Sequence, residues 1–514
     1  MGDAYSVYLF FQYNTGFILT AEPEIEINQI QRNANPKNKW NQKITVLHTC
    51  YTPMKTILVL NTGSSSLKAS LLCESFDEEG ENEDNKHLLR IITAHGERLG
   101  TKESFLHISI SSSVVKSVIS TSGKDSSKGF KRSDSLPLTS RASSKQSSHR
   151  TSEDVQDIEI SEEKMTHQRA IELVIENIKL CSQVLFSSIA AIGHRVVHGG
   201  ATFSDAVLVN AQVISAIESV SHLAPLHNPS NLQGIRIALD VFKDIPNVAV
   251  FDTAFHSTIE EHVYRYALPE QYFAHGIRKY GFHGTSVKYV SSQASSILKS
   301  LGYRYSRMIV AHLGNGASCT AVVDGKSVDT TMEFSPLTGL IMGTRSGNVD
   351  PTVVTYAAQQ LGKSESEIVE DLNKRSGLKG LCGDNDMRAV ISKANGGDAD
   401  AKLAIEMFIH VLSKQIAGLI VACGCSIDAL VFTAGIGEHS SFVRSLVLRK
   451  IGTLLGVELN DEWNESDGKL SNGIISKINK PMTHEDCVVL VVPTDEESMI
   501  FYDCKRVAGI TLNK

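Results

Sequence analysis

No stretch of this 514-residue chain offers the roughly 18 uninterrupted apolar residues that a membrane span requires. A basic excess is also missing: hydrophobic residues make up 42%, charged residues 21%, and the formal net charge is −7, which sets nucleic acid aside as a partner. The N-terminal region lacks the charged segment and apolar core of a secretory signal, and Glu22, Glu24 and Glu26 do not suit an Arg-rich, acid-poor transit peptide. The cytoplasm is therefore the expected location. CxxC pairs are absent too. The 9 cysteines (Cys50, Cys73, Cys181, Cys319, Cys382, Cys423, Cys425, Cys487 and Cys504) are odd in number and scattered, so they read as reduced, mostly buried thiols rather than zinc ligands. Finally, neither GxGxxG nor a Walker GxxxxGK[ST] stands in a suitable context.

What is present has a clear order. A prior of roughly 150 residues per domain gives two or three domains. Residues 1–53 form a polar and aromatic leader without a sustained period of 2 or 3.6, expected to be a disordered extension. The first strand is TILVL at 56–60, just after Met54. From 109 to 155 the chain is Ser-rich, with too few large apolar residues to repay the entropy of ordering; it is expected to be a disordered insert whose KRSDS and RASS segments are phosphorylation candidates. From 156 onward the patterns alternate. A helical stripe at 167–180 is followed by strands at 190–198, 248–255, 307–313, 429–435 and 487–493, with helices expected at 352–361, 399–423 and 440–454. Such alternation predicts an α/β fold with active groups at strand ends.

Residues 61–68, NTGSSSLK, join two apolar runs through one glycine and three serines. Alone, the stretch reads either as a surface hairpin or as a phosphate cradle of backbone N–H groups and hydroxyls, with Lys68 beside it. A second Gly-rich turn, HLGNGAS (312–318), also follows a strand, and a third, TAGIGEHS (433–440), opens a helix. Three such turns at three strand ends favour phosphate binding, two clamping from opposite sides and the third lying beside a nucleotide.

With these turns, GHRVVHGG (193–200), LAPLHNP (223–229), FDTAFH (251–256), YGFHGTS (280–286), MGTRSG (342–347) and PTDEE (493–497) stand in the order of the acetate kinase family, which the chain resembles over roughly 54–510. The resemblance implies two duplicated RNase H-like halves, as in sugar kinases, Hsp70 and actin, around an interdomain ATP cleft. The expected boundaries are 54–252, 253–495 and a segment 496–514 returning to the first half. It further implies reversible transfer of the ATP γ-phosphoryl group to acetate, giving acetyl phosphate and ADP. A carboxylate is already ionised at neutral pH, so no general base is required. The barrier is electrostatic, and arginines, Mg²⁺ and neutral donors are the fitting tools.

By resemblance, Arg195 and Arg345 are the active-site arginines, His283 donates to the moving phosphoryl group, His227 supports it, and Asp252 orients a metal or an arginine. Asn61 and Glu496 match the Mg²⁺ contacts, with Mn²⁺ as a substitute. Ser64, Ser66, Lys68, Asn315 and Gly316 would surround the phosphates. Asp386, Arg388, Gly435 and Gly437 belong to the nucleotide side. His312 is counted with the phosphate residues, although like His198 and His256 it also reads as structural. Val197, Leu226, Phe282 and Pro336 match the acyl pocket. The resemblance also implies a homodimer. Rival readings are a propionate- or butyrate-type carboxylate kinase and a nucleotide-binding sensor or scaffold with little turnover. Glu333, Asn348 and Asp495 depart from the family's usual residues. Glu333 would weaken carboxylate affinity unless it turns to solvent or pairs with a cation.

Overall fold

A computed structural model of the chain describes residues 9–13, 16–20, 55–63, 65–76, 86–111, 114–115, 145–152, 155–225, 227–469, 471, 473–474 and 487–510. Its strands, in chain order, are β1 (Leu9–Tyr13), β2 (Gly16–Thr20), β3 (Thr56–Thr62), β4 (Leu67–Phe76), β5 (Lys86–Glu97), β6 (Phe105–Ser111), β7 (Lys145–Ser152), β8 (Val155–Ser161), β9 (Ile189–Val196), β10 (Val207–Leu208), β11 (Asn247–Phe251), β12 (Arg307–Leu313), β13 (Ala317–Val323), β14 (Lys326–Thr330), β15 (Ala429–Thr433) and β16 (Val488–Val491).

Two sheets repeat one topology. In the 9-stranded sheet, the order β11-β9-β3-β4-β5 has β3, β4 and β5 antiparallel in sequence while β9 and β11 run parallel to β3. In the 5-stranded sheet, β16-β15-β12-β13-β14 repeats this pattern strand for strand. Each repeat begins with an antiparallel pair joined by a Gly-rich turn, NTGSSSLK between β3 and β4 and HLGNGAS between β12 and β13. The NTGSSSLK stretch is thus a hairpin in geometry, and its twin in the second sheet carries candidate site residues. The strands are apolar because both sheet faces are covered: every residue of β3 and β15 is buried.

The helices follow their apolar stripes and caps. His167–Cys181 starts at Thr166, whose hydroxyl accepts from the Arg169 N–H, and buries Ile171, Val174, Ile175 and Ile178 against the first sheet. Ala399–Ala422 packs Ile405, Phe408, Leu412 and Ile416 into the core of the second. That helix is, among the described residues, long and apolar enough to cross a membrane, and half of its apolar window is buried, as for a core helix.

Two expectations need correction. Within the leader, β1 and β2 pair as an antiparallel hairpin. Runs as short as LFFQY and GFILT are too brief to register in a periodicity scan, and the rest of 1–53 up to residue 54 lies outside the described residues. The Ser-rich insert is narrower than 109–155. β6 extends to Ser111, and β7 pairs with β8 at the sheet edge. In β6 the alternation of Leu106, Ile108 and Ile110 inward with polar residues between them hides a strand behind serines. Residues 112–113 and 116–144, with both phosphorylation candidates, lie outside the described residues.

Helix Glu496–Val507 follows β16 but packs on the first sheet, where Ile500, Phe501 and Cys504 join Ile57, Val59, Ala191 and Val250. Gly193 on β9 permits this approach, since a Cβ there would lie 2.6 Å from Ile500 Cγ2. Lys505 binds Glu74 of β4 at 2.7 Å, and Arg90 of β5 pairs with Asp495. The helix therefore ties the chain end to the first sheet and fixes Glu496 at its first turn. Ile500→Ala should lower stability to chemical denaturation by about 2–5 kcal/mol through the cavity left behind. A loss below about 0.5 kcal/mol, the range of neutral surface changes, would show that this docking contributes little.

Candidate active site

The first group of side chains comes from the carboxyl ends of three neighbouring parallel strands. Asn61 lies near the end of β3, Arg195 near the end of β9, and Asp252 follows β11. Arg195 grips Asp252 through two nitrogens, Nε donating to Oδ1 at 3.0 Å and Nη2 to Oδ2 at 2.5 Å. Its Nη1 donates to Asn61 Oδ1 at 3.2 Å, and Nε stands 3.7 Å from Glu496 Oε2. Asp252 is 1% exposed and also accepts from Thr285 Oγ1 at 3.0 Å. Of the two partners expected for Asp252, the structure supplies the arginine. A buried bidentate pair of this kind fixes the guanidinium plane.

The second group is gathered beside the other sheet, with His312 on β12 and Ser318 on β13. His283 caps helix Gly284–Ser300 in the left-handed region at φ 58. A non-glycine residue held there signals a position defined by its surroundings. Its Nδ1 lies 2.9 Å from Ser318 Oγ, and its ring stacks on His312 at 4.1 Å. His312 Nδ1 is 2.8 Å from Ser286 Oγ, which reaches Thr494 Oγ1 at 2.7 Å. Arg345 Nη1 donates to the Pro336 carbonyl at 3.1 Å. The HLGNGAS turn lies directly against this group: a Cβ on Gly316 would sit 3.4 Å from Arg345 Nη1 and 3.5 Å from His283 Nε2.

Electrostatics joins the two groups. Burial holds His283 well below its ordinary value, reinforced by His312, Arg195 and Arg345. His227 is pushed down to about 4 by burial and then by the same two arginines. Both guanidinium charges therefore act on each of these imidazoles. Burial also holds His312 at about 4. For Glu496 burial acts upward, but Arg195, His312, Lys68 and the Asn61 amide outweigh it and hold the carboxyl below its usual range.

The remaining candidates divide. Lys68, exposed on β4, faces Asn61 across the hairpin, and Ser66 is exposed in the turn. Ser64 and Leu226 lie outside the described residues. Asn315 accepts from Asn385 Nδ2 at 3.2 Å, and its carbonyl accepts from the Gly343 N–H at 3.0 Å. Asp386 caps helix Met387–Asn395 and holds Arg388 Nη2 at 2.6 Å, with Arg388 reaching into solvent. Gly435 faces open space, and a Cβ on Gly437 would meet the Phe432 and Ala311 backbones at 3.4 and 3.5 Å, ordinary contact distances. Val197 and Phe282 are buried in one cluster with Ala224. His256 is structural, bonded through both nitrogens to Ser327 Oγ and the Phe282 carbonyl at 2.8 Å each. His198 is fully buried, with Nδ1 accepting from the Gly200 N–H at 2.9 Å.

The three departures each have a partner. Glu333 is bound by the Tyr266 hydroxyl at 3.0 Å rather than by a lysine or arginine, Asn348 accepts from the Gly339 N–H at 2.7 Å, and Asp495 caps helix Glu496–Val507. Sequence reasoning missed Glu438, whose Oε1 accepts from the Ala434 and Thr494 N–H groups at 2.8 and 3.0 Å, joining the third Gly-rich turn to the PTDEE segment. Its place in TAGIGEHS marked it, but nothing local indicated a partner 56 residues away.

No group of three or more His, Cys, Asp or Glu residues among the described residues could hold a metal by itself. Asn61 Nδ2 donates to Glu496 Oε2 at 3.2 Å, which places one amide and one carboxylate side by side. The Glu496 carboxylate is a hard oxygen donor that fits Mg²⁺, which keeps waters and shares phosphate oxygens rather than filling a protein cage, while the Asn61 oxygen is engaged here by Arg195 Nη1.

The Acetokinase family profile matches residues 105–502. The chain belongs to that family. It is 45% identical to acetate kinase 1 of Neisseria meningitidis serogroup A over 346 residues, 67% of this chain and 84% of that protein. Among solved structures it is similar to a propionate kinase from Francisella tularensis (TM-score 0.71, 37% identity, 88% of this chain and 100% of that one). It is also similar to Porphyromonas gingivalis acetate kinase (TM-score 0.67, 34% identity, 88% and 99%). The duplicated actin/Hsp70/sugar kinase-type α/β fold expected of this family is the one the two repeated sheets form.

The buried imidazoles make stability depend on pH. His194, His198, His227, His256 and His312 all sit near 4 when folded, against 6.5 for a free side chain, with burial the leading cause. The unfolded chain binds these protons first, so their contribution is complete above pH 6.5 and is lost as pH falls toward 4. Urea midpoints should be level from pH 7 to 8 and drop steadily below 6.5. A midpoint at pH 5 equal to that at pH 7.5 would contradict neutral burial of these rings.

Proposed function

We propose that the protein is an acetate kinase, transferring the γ-phosphoryl group of ATP reversibly to acetate by direct in-line displacement. The observation that carries this reading is the meeting of Arg345 and His283 at the Gly316 turn, with the charges of both Arg345 and Arg195 acting on the uncharged imidazoles of His283 and His227. Two anions must meet in this reaction, and the barrier is lowered by positive charge and donors held in place beforehand. Asp252 aims Arg195, and the Pro336 carbonyl aims Arg345. Because burial keeps His283 neutral and Ser318 engages Nδ1, the Nε2 beside Gly316 is the nitrogen available to donate to a phosphoryl oxygen.

Asn61 and Glu496 would hold Mg²⁺, or Mn²⁺ in its place, and the ion would supply neutralisation of phosphate charge. The NTGSSSLK and HLGNGAS hairpins would clamp the phosphates from opposite sides, with Ser66, Lys68, Asn315 and Gly316 on their rims. Asp386, Arg388 and the open side of Gly435 receive the adenosine. Val197, Phe282 and Pro336 enclose the methyl group. The halves 54–252 and 253–495 close about hinges near 252–256 and 494–498, with 496–514 returning to the first half. A second reading, preference for propionate, has the Francisella relative in its favour. One methylene is worth only about 1–3 kcal/mol, so propionate should be a poorer substrate rather than an excluded one.

We also propose a cytoplasmic homodimer. Val349, Val353, Tyr356 and Leu361, on and beside helix Thr352–Leu361, are exposed apolar residues, and Ala358 is the buried residue of that helix, so a second copy is the partner that fits this face. Sedimentation should show a two-chain species, and Tyr356→Asp should shift it toward one chain. A wild-type protein that sediments as one chain would remove the dimer.

Activity is tested by trapping acyl phosphate as hydroxamate from ATP and C2 to C4 acids. Acetate should give the most product; ATP binding without product would remove the kinase reading. Arg195→Ala and Arg345→Ala should each lower kcat by about 10²-fold or more, as losing one transition-state donor does. Near-wild-type turnover in either variant would contradict the assignment.

A further inference from the structure

The segment that carries Pro336 is held at its other end by a carboxylate. Glu333 stands three residues before Pro336, and its Oε2 accepts from the Tyr266 hydroxyl at 3.0 Å. The same hydroxyl accepts from the Phe334 N–H at 3.2 Å. The Glu333 carbonyl accepts from the Tyr280 and Gly281 N–H groups at 3.0 and 3.3 Å, and the Glu333 N–H donates to Thr338 Oγ1 at 3.1 Å. Tyr280 and Gly281 lead directly into Phe282, and Pro336 leads through its carbonyl to Arg345. The Tyr266 hydroxyl thus binds both the side chain and the backbone of the strip between two walls of the acyl pocket.

A half-buried carboxylate so near an anion-binding site has a physical consequence. If it swung toward Arg345 it would compete with the substrate for that guanidinium, because an arginine fork binds any carboxylate of suitable geometry. The Tyr266 hydroxyl gives the carboxylate a donor elsewhere. We propose that Tyr266 and Glu333 are positioning residues for the carboxylate substrate: Tyr266 keeps the Glu333 charge out of the acyl site and, through the 333–338 strip, holds Pro336 and hence Arg345 in place. This rests on the acetate kinase reading above.

The test is a set of variants assayed with both substrates varied. Tyr266→Phe keeps the ring and removes the hydroxyl. It should raise KM for acetate about tenfold, equivalent to about 1.4 kcal/mol, while KM for ATP stays within about twofold. The double variant Tyr266→Phe/Glu333→Gln, which removes the freed charge, should bring KM for acetate back to within about threefold of wild type. If Tyr266→Phe does not accumulate as folded protein, Thr338→Val, which deprives the Glu333 N–H of its acceptor, should give the same split between the two KM values. An unchanged acetate KM, equal rises for acetate and ATP, or no recovery in the double variant would overturn the inference. Wild-type protein without acyl phosphate formation would instead overturn the reading on which it rests.

Discussion

The grip of Asp252 on Arg195 is the constraint from which the rest of the site follows. A nearly dry carboxylate and a partly buried guanidinium are costly to take from water, and the cost is met here by paired nitrogens, the Asn61 amide and the Thr285 hydroxyl. Removing one partner of such a pair would leave the other charge buried without compensation. The pair also joins separate layers of the molecule. Arg195 belongs to the first sheet, Asp252 is the point where the chain leaves it, Thr285 stands at the start of the helix carrying His283, and Glu496 arrives with the last helix. Positive charge is therefore held at the meeting of both halves before any substrate is bound, as an anion-to-anion transfer requires.

The duplication explains why the site has a near mirror in its parts. Each sheet opens with an antiparallel hairpin whose turn is Gly-rich, and each adds parallel strands on the other side. Parallel strands end on the same edge, so Asn61, Arg195 and Asp252 gather on one side, while the β12–β13 turn brings Gly316 against His283 and Arg345 on the other. The last helix then crosses back to the first sheet and delivers Glu496 beside Asn61. Neither sheet alone holds a complete set.

What was legible in the sequence was whatever is written locally. RMIVAHL, Thr352–Leu361 and Ala399–Ala422 are continuous apolar or periodic stretches, and their limits agree with the structure to within a residue. The candidate residues that the structure brings together were legible because they sit in short local motifs, such as GHRVVHGG, YGFHGTS and MGTRSG. The edges of the first sheet were not, because β6 alternates its apolar residues with serines and β7 contributes backbone pairing without apolar side chains. Long-range partners were equally hidden. Glu438 meets Thr494, Arg90 meets Asp495 and Tyr266 meets Glu333 through the fold, and no spacing in the chain encodes those meetings.

The central claim, that two guanidinium groups and one neutral imidazole surround a single transferring phosphoryl group, is tested most directly by a crystal structure with Mg²⁺, a non-hydrolysable ATP analogue and acetate. The account predicts nitrogens of Arg195, Arg345 and His283 all within about 3.2 Å of oxygens of the terminal phosphate or the acetate carboxylate. A terminal phosphate bound with either arginine turned away from it, and acetate seated elsewhere, would contradict it.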